Sequence, residues 1–235
     1  MILEEIIKFI DDKIPQELAL KNDKIGFTQK YDLNQNIESI KIMMDLLPKD
    51  DEKLNKETLV ITHHPPIYTT KTTTYTIHSN WDIIRGGSND ALAKALKLKI
   101  IGCFDRKSNI GRICSSNLTF KEIIANIYKA FPDNKIRIVN KVSEDKKFNK
   151  IATISGFGLK NIKYIDLAKE KDVDLIISGD LTHEVAILAK KSGISVIDLN
   201  HHISEIPGLY KLEKLISNIG IPIEVIDNGN PWEYI

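Results

Sequence analysis

The six histidines of the chain fall in four short segments: His63 and His64 in THHPP, His78 in IHSNWD, His183 in SGDLTHE, and His201 and His202 in LNHHISE. Histidine is the commonest metal ligand. Its gathering into loop-like segments, none read as an amphipathic helix face, points to a metal site. Asp82 of IHSNWD adds a hard carboxylate. His201 and Glu205 stand at i and i+4, which on a helix places both on one face, the same spacing as the histidines of helical zinc motifs. His63, His64, Asp82, His201 and Glu205 thus supply donors for two divalent ions. In that reading Glu205 is shared, each ion has two other protein ligands, and water completes each shell. A mixed nitrogen and oxygen set without thiolate suits Zn, Fe or Mn. Two-metal centres clamp both the attacking and the leaving oxygen of a hydrolytic reaction.

Each motif also has a plain reading. In extended chain, adjacent side chains point to opposite sides. His63 and His64 therefore suit two different ions, one ligand role and one supporting role, or simply a pair of surface histidines. Asn80 or Asp82 can close a turn on the backbone. Ser204 can cap a helix with Glu205 in its first turn, and Asp180 can cap the helix after SGD. His78 and His183 are candidate catalytic residues as proton shuttles. Gly156-Phe157-Gly158 has the look of a dinucleotide loop, but Asn161 stands where the third glycine is needed, so a tight turn is the better reading.

The elements that must position these residues follow from periodicity. Helices are expected at 3–9, 37–47 (ended by Pro48), 88–98 (capped by Ser88), 119–131, 161–171, 182–192 and 209–219. Strands are expected at 58–62, 75–78, 136–139, 151–155, 175–178, 194–199 and 223–226. Residues 48–57 and 79–82 read as loops, with His201 in a turn and Glu205 near a helix start. Strands alternating with helices imply βαβ units and an α/β fold with mainly parallel, mixed sheets. TLVITHHPP and DLIISGDLTHE echo each other, each placing a histidine just past an apolar strand, where α/β sheets put ligand sites. Two lobes are expected, 1–118 and 119–235, with the C-terminal segment able to return to the first.

The chain has 235 residues and a formal net charge of +1, which is long enough for a sizeable core and does not favour nucleic acid as the main ligand. Its two cysteines, Cys103 and Cys114, rule out a disulfide scaffold and read as reduced thiols. The start, MILEEIIKFI, places two glutamates where a signal peptide needs a basic residue, and no apolar run reaches bilayer-spanning length. The expectation is a cytoplasmic protein without membrane association.

The ordered set THHPP, IHSNWD, GGSNDALA (residues 86–93), GRI (111–113), SGFG, SGDLTHE and LNHHISE resembles the NIF-three-like family (NGG-interacting factor three), whose bacterial members are often called type 2 GTP cyclohydrolase I. The resemblance runs from NDKIGF (22–27) to the final helix. It implies a two-lobed α/β protomer with a dinuclear metal site in the cleft, assembled as a toroidal homohexamer. By analogy, His64 and Asp82 serve one ion, His63 and His201 the other, and Glu205 both. Asn200 replaces the family's glycine before His201, Trp81 replaces an aliphatic residue before Asp82, and the inserted middle domain of longer relatives is missing. The implied activity is metal-dependent hydrolysis of a nucleotide or similar phosphorylated small molecule. The rival is a non-enzymatic metal-binding ring for nucleic acid or a regulatory protein.

Overall fold

The computed structural model describes residues 1–233. In chain order its principal elements are α1 (Leu3–Asp11), β1 (Gly26–Phe27), β2 (Ser39–Met43), α2 (Pro48–Asp51), β3 (Thr58–Thr62), β4 (Thr73–Thr76), α3 (Ser79–Ile83) and α4 (Ser88–Ala95). Then come β5 (Lys99–Asp105), β6 (Ile110–Ser115), α5 (Phe120–Ala130), β7 (Arg137–Val139), β8 (Lys150–Thr153) and α6 (Lys163–Glu170). The last are β9 (Leu175–Ser178), α7 (His183–Ser192), β10 (Ser195–Asp198), α8 (His201–Ile216) and β11 (Ile223–Ile226). No helix is long and apolar enough to cross a membrane among the described residues.

The chain divides into two compact units. The first is Met1–Ile84 with the chain from Leu209 onward, and the second is Arg85–Gly208. The expected boundary near residue 118 therefore falls inside the second unit. The reason is a hairpin that the periodicity passes over: β5 pairs with β6, and β6 pairs in turn with β8, which ties residues 99–115 to the second sheet.

In the first unit the sheet order is β1-β4-β3-β2-β11. All neighbours are parallel except β1 and β4. Strand β3 is TLVIT, buried at every position, as an apolar and β-branched run covered on both faces should be. Helix α1 buries Leu3, Ile6 and Ile10 on one stripe, with Glu4 and Glu5 in its first turn complementing the helix dipole. The helix expected over 37–47 is instead strand β2, between β3 and β11. Ile40 and Ile42 are buried, and Lys41 between them pairs with Glu224. That alternation of period 2 overrides the helical spacing, and Pro48 opens the short α2 rather than ending a helix.

In the second unit the order is β5-β6-β8-β9-β10-β7. Strands β8, β9 and β10 run parallel, and the other pairs are antiparallel. The expected mixed α/β architecture is present, with the parallel strands central. β9 and β10 are buried throughout. Thr119 caps α5 in a reciprocal capping box with Glu122. Ser88 does not cap α4: Gly87 holds that place, and the Ser88 hydroxyl lies 2.7 Å from that of Ser155. Cys103 and Cys114 are in no disulfide.

Candidate metal-binding groups

In the first unit the histidines sit just past the carboxyl end of β3. The strand ends at Thr62, so His63 and His64 lie on a bend and escape the side-to-side alternation of extended chain. Their ring centroids are 5.0 Å apart, not on opposite faces. Backbone bonds fix the bend, since His63 N–H and His64 N–H donate to the carbonyls of Met43 and Met44 at 2.9 and 3.0 Å. His78 follows β4, the neighbouring parallel strand, and its ring is 5.1 Å from His63 and 5.5 Å from His64. Ligand atoms of the three histidines lie within 4.8 Å of one another. Residues 79–83, expected as a loop, form the short α3, which carries Asp82 to within 3.6 Å of His63 Nε2. The Asn80 carboxamide accepts from His78 N–H at 3.1 Å, the turn closure expected of that residue. Trp81 is only 2% exposed, so it packs in the core.

Each ring is held by its Nδ1. His63 Nδ1–H donates to the Ile77 carbonyl at 3.1 Å, His64 to Asp45 at 3.0 Å and His78 to Asp23 at 2.8 Å. Metal-binding histidines characteristically carry this arrangement. An acceptor on one nitrogen fixes the tautomer and presents the other nitrogen to the ion. Asp23 is itself anchored, since it also accepts from Ser79 N–H and the Ser79 hydroxyl. Burial opposes ionisation of Asp23, but the His78 and Ser79 bonds hold its carboxyl well below the usual range. Burial likewise works against a proton on His78, and the Asp23 bond and the Asp82 charge raise its pKa all the same.

In the second unit three chain segments converge past the carboxyl ends of β8, β9 and β10. Helix α8 begins at His201, a residue expected in a turn, and runs through Pro207 rather than starting at 209. Asn200 makes that start possible. It takes a left-handed conformation, φ 65°, and its side chain accepts from Ile203 N–H at 2.9 Å. Asparagine tolerates that region and caps helices well, which is why it can stand where the family's glycine is usual. Ser204 is not the cap. Its hydroxyl donates to the His201 carbonyl at 2.7 Å and accepts from Gly156 N–H at 2.8 Å.

With the helix starting there, His201 and Glu205 share a face, and His201 Nε2 lies 3.1 Å from the Glu205 carboxylate. Asp180, on the turn after β9, accepts from His201 Nδ1–H at 2.9 Å. It is thus a support for the imidazole, and Thr182 caps α7 in its place. Burial would lower the His201 pKa, yet hydrogen bonds to Asp180 and Glu205 push it up to about 10. The His201 bond in turn keeps Asp180 below its usual value against the effect of burial. Glu205, which faces His201 Nε2, is suited to share a divalent cation there, while Asp180 keeps its bond to the Nδ1 proton.

The SGFG turn also serves this group. Gly156 has φ +71°, and a Cβ there would meet the Glu205 carboxylate oxygen at 2.0 Å. Gly156 is the seat on which Glu205 rests, so the tight-turn reading of GFG stands and the space a dinucleotide loop would leave open is filled. His183 is exposed at the first position of α7. His202 is 5% exposed.

The structure places every expected ligand at a strand end or on the helix that follows one. His63, His64 and Asp82 come together in the first unit, joined by His78, and His201 and Glu205 come together in the second. The sequence reading missed the carboxylates behind the histidines. Asp45 follows a strand misread as helix, Asp23 lies in NDKIGF with no chemical pattern of its own, and Asp180 was assigned to a cap.

Comparison with known proteins agrees with these motifs. The model of the family DUF34/NIF3, NGG1p interacting factor 3, matches residues 68–231. The chain is 34% identical over 230 residues to a GTP cyclohydrolase 1 type 2 homolog of Methanothermobacter thermautotrophicus, covering 98% of this chain and 94% of that protein. Its structure is similar to reduced HcgD from Methanocaldococcus jannaschii, with a TM-score of 0.82 and 30% identity over 96% of this chain and 97% of that one. A Staphylococcus aureus hypothetical protein has the same fold, with a TM-score of 0.84 and 22% identity over 100% of this chain and 99% of that one. With its own motifs, the family model and the M. thermautotrophicus relative in agreement, the chain belongs to the DUF34/NIF3 family.

Proposed function

We propose that the protein is a divalent-metal-dependent hydrolase acting on a nucleotide or a similar phosphorylated small molecule. Two ions per chain, Zn, Fe or Mn, take His63, His64, Asp82, His201 and Glu205 as ligands. The observation that carries this reading is the shared support of the imidazoles. The Nδ1 atoms of His63, His64 and His201 all rest on a carbonyl or carboxylate oxygen at 3.1 Å or less, which presents Nε2 for ligation. The donor chemistry fits as well. Carboxylates face Nε2 of His63 and of His201, and no cysteine joins either group, so the set suits borderline ions.

Bound ions would supply Lewis-acid activation of a water and of the bond it attacks. The chain's own residues do the rest. Asp45, Asp180 and the Ile77 carbonyl orient the ligating rings. Gly156 leaves room for the Glu205 carboxylate. His78, fixed by Asp23 beside His63 and His64, holds and passes a proton at Nε2. The nucleotide class draws support from the relatives called GTP cyclohydrolase 1 type 2 homologs. We extend the reading to a homo-oligomer, a hexamer by family resemblance, in the cytoplasm.

The test is a screen of nucleotides and phosphoesters with metal-restored protein, with and without chelator. Turnover that a chelator abolishes and added metal restores is the expected result. Full metal loading with no turnover, together with salt-sensitive binding of an oligonucleotide, would instead make this a metal-binding ring.

A further inference from the structure

His201 hangs between two residues with left-handed backbones. Asn200, its neighbour in the chain, has φ 65°, and Asp180, which accepts its Nδ1–H, has φ 62°. Residues other than glycine keep such conformations only where their surroundings fix them. The side chain of Arg137 is bonded beside both.

Arg137 opens β7, the three-residue strand at the edge of the second sheet, and stands opposite Asp198, the last residue of β10. Its Nε–H donates to Asp198 Oδ2 at 2.7 Å, and its Nη2 lies 2.5 Å from the same oxygen. Nη2 also donates at 3.1 Å to the carbonyl of Leu181, the residue after Asp180. The other oxygen of Asp198 accepts from Asn200 N–H at 3.0 Å. The guanidinium therefore reaches the Asp180 turn through the next carbonyl and the Asn200 turn through a carboxylate. Asp198 is 2% exposed, and a carboxylate so buried depends on its partner, because removing the partner leaves an uncompensated charge. A lysine could supply that charge. The planar fork that also bonds a second chain segment is particular to arginine.

We propose that Arg137 is a positioning residue for His201: it locks both left-handed turns and so holds the imidazole with Nε2 presented to the ion. The inference rests on the ligand role proposed for His201 and adds to it a residue that touches neither the ring nor the ion.

Hydrogen exchange of the metal-free protein, followed by mass spectrometry, tests the lock without any ion. Arg137→Ala should exchange severalfold faster in peptides covering 180–182 and 199–205, with 58–64 unchanged. Arg137→Lys keeps a charge on Asp198 without bonding Leu181, so only 180–182 should loosen. Acceleration confined to β7, or none, would overturn the proposal, because an arginine that merely secures its own strand gives that pattern. Chelator competition on the metal-loaded protein reads the consequence. Arg137→Ala should release an ion at about 10-fold lower chelator concentration than the native chain, with Arg137→Lys between the two. Loosened turns with native metal affinity would overturn the link to His201. Native protein that takes up no metal would instead overturn the ligand reading on which the proposal stands.

Discussion

The bend after β3 and the start of α8 reach the same end by different means. Both place histidine just past a buried parallel strand, the position where α/β sheets carry their ligands. The bend uses adjacent residues. Once regular strand stops at Thr62, His63 and His64 bring their rings to 5.0 Å, and the supports come from elsewhere, Asp45 and the Ile77 carbonyl. The helix uses i, i+4 spacing and depends on its first residues, with Asn200 in a left-handed conformation and Gly156 leaving room beneath Glu205. Neighbouring chain thus builds the first group, while backbone conformations that few residues tolerate build the second. The second should break under subtler substitutions.

The largest effect is expected for Glu205→Gln. Sharing of this carboxylate between ions predicts that Glu205→Gln retains less metal than Asp82→Asn, measured as ions per chain after reconstitution. Equal retention would show that each carboxylate serves a single ion. Next comes Gly156→Ala. Its φ of +71° and the close Glu205 carboxylate together cost about 3 kcal/mol, read as a lowered denaturation midpoint with metal lost in parallel. A neutral result would remove the contrast between the two regions.

Asp180→Asn and Asp23→Asn compare the supports themselves. Asp180 holds His201 directly, so its amide should weaken metal binding about 10- to 100-fold. Asp23 holds His78, outside the proposed ligand set, so its amide should leave metal content unchanged and slow turnover. If both lose metal equally, His78 is a ligand.

The smallest effect concerns the chain beyond the double histidine. Asp51 is 2% exposed, and its carboxylate accepts from Lys71 N–H and Thr72 N–H at 2.7 and 2.9 Å, which clamps the return into β4. Burial works against the ionised form, yet these bonds lower the Asp51 pKa. A lowered native pKa contributes stability above the unfolded value, and that contribution fades as pH falls through the native one. Asp51→Asn should therefore cost about 1 kcal/mol at neutral pH, with the gap from wild type closing in acid. A gap that widens in acid would reverse the sign.

Much of this was legible in the sequence where burial and pattern agree. Strands β3, β9 and β11 coincide with their apolar runs residue for residue, and α5 falls within the helix expected at 119–131. The failures have local causes. Ile37, Ile40, Met43 and Met44 mimic a helical stripe, and only pairing with β3 and β11 decides for a strand. The β5–β6 hairpin turns through Arg106–Asn109, which lacks the usual asparagine-glycine or aspartate-glycine signal. The helix expected at 209–219 begins instead at His201, and α8 runs through Pro207. The five proposed ligands stand out in the sequence by residue type and by their place just past apolar strands. The carboxylates behind them were not, because Asp23 and Asp45 reach their histidines across 55 and 19 residues.

The central claim is that this chain holds two divalent ions on the five residues. Elemental analysis of protein reconstituted separately with Zn, Mn and Fe, beside His63→Ala and His201→Ala, tests it most directly. The account predicts two ions per chain in the native protein with at least one of these metals, and a loss in each variant. Native protein with metal near zero in all three, or variants that keep the full complement, would contradict it.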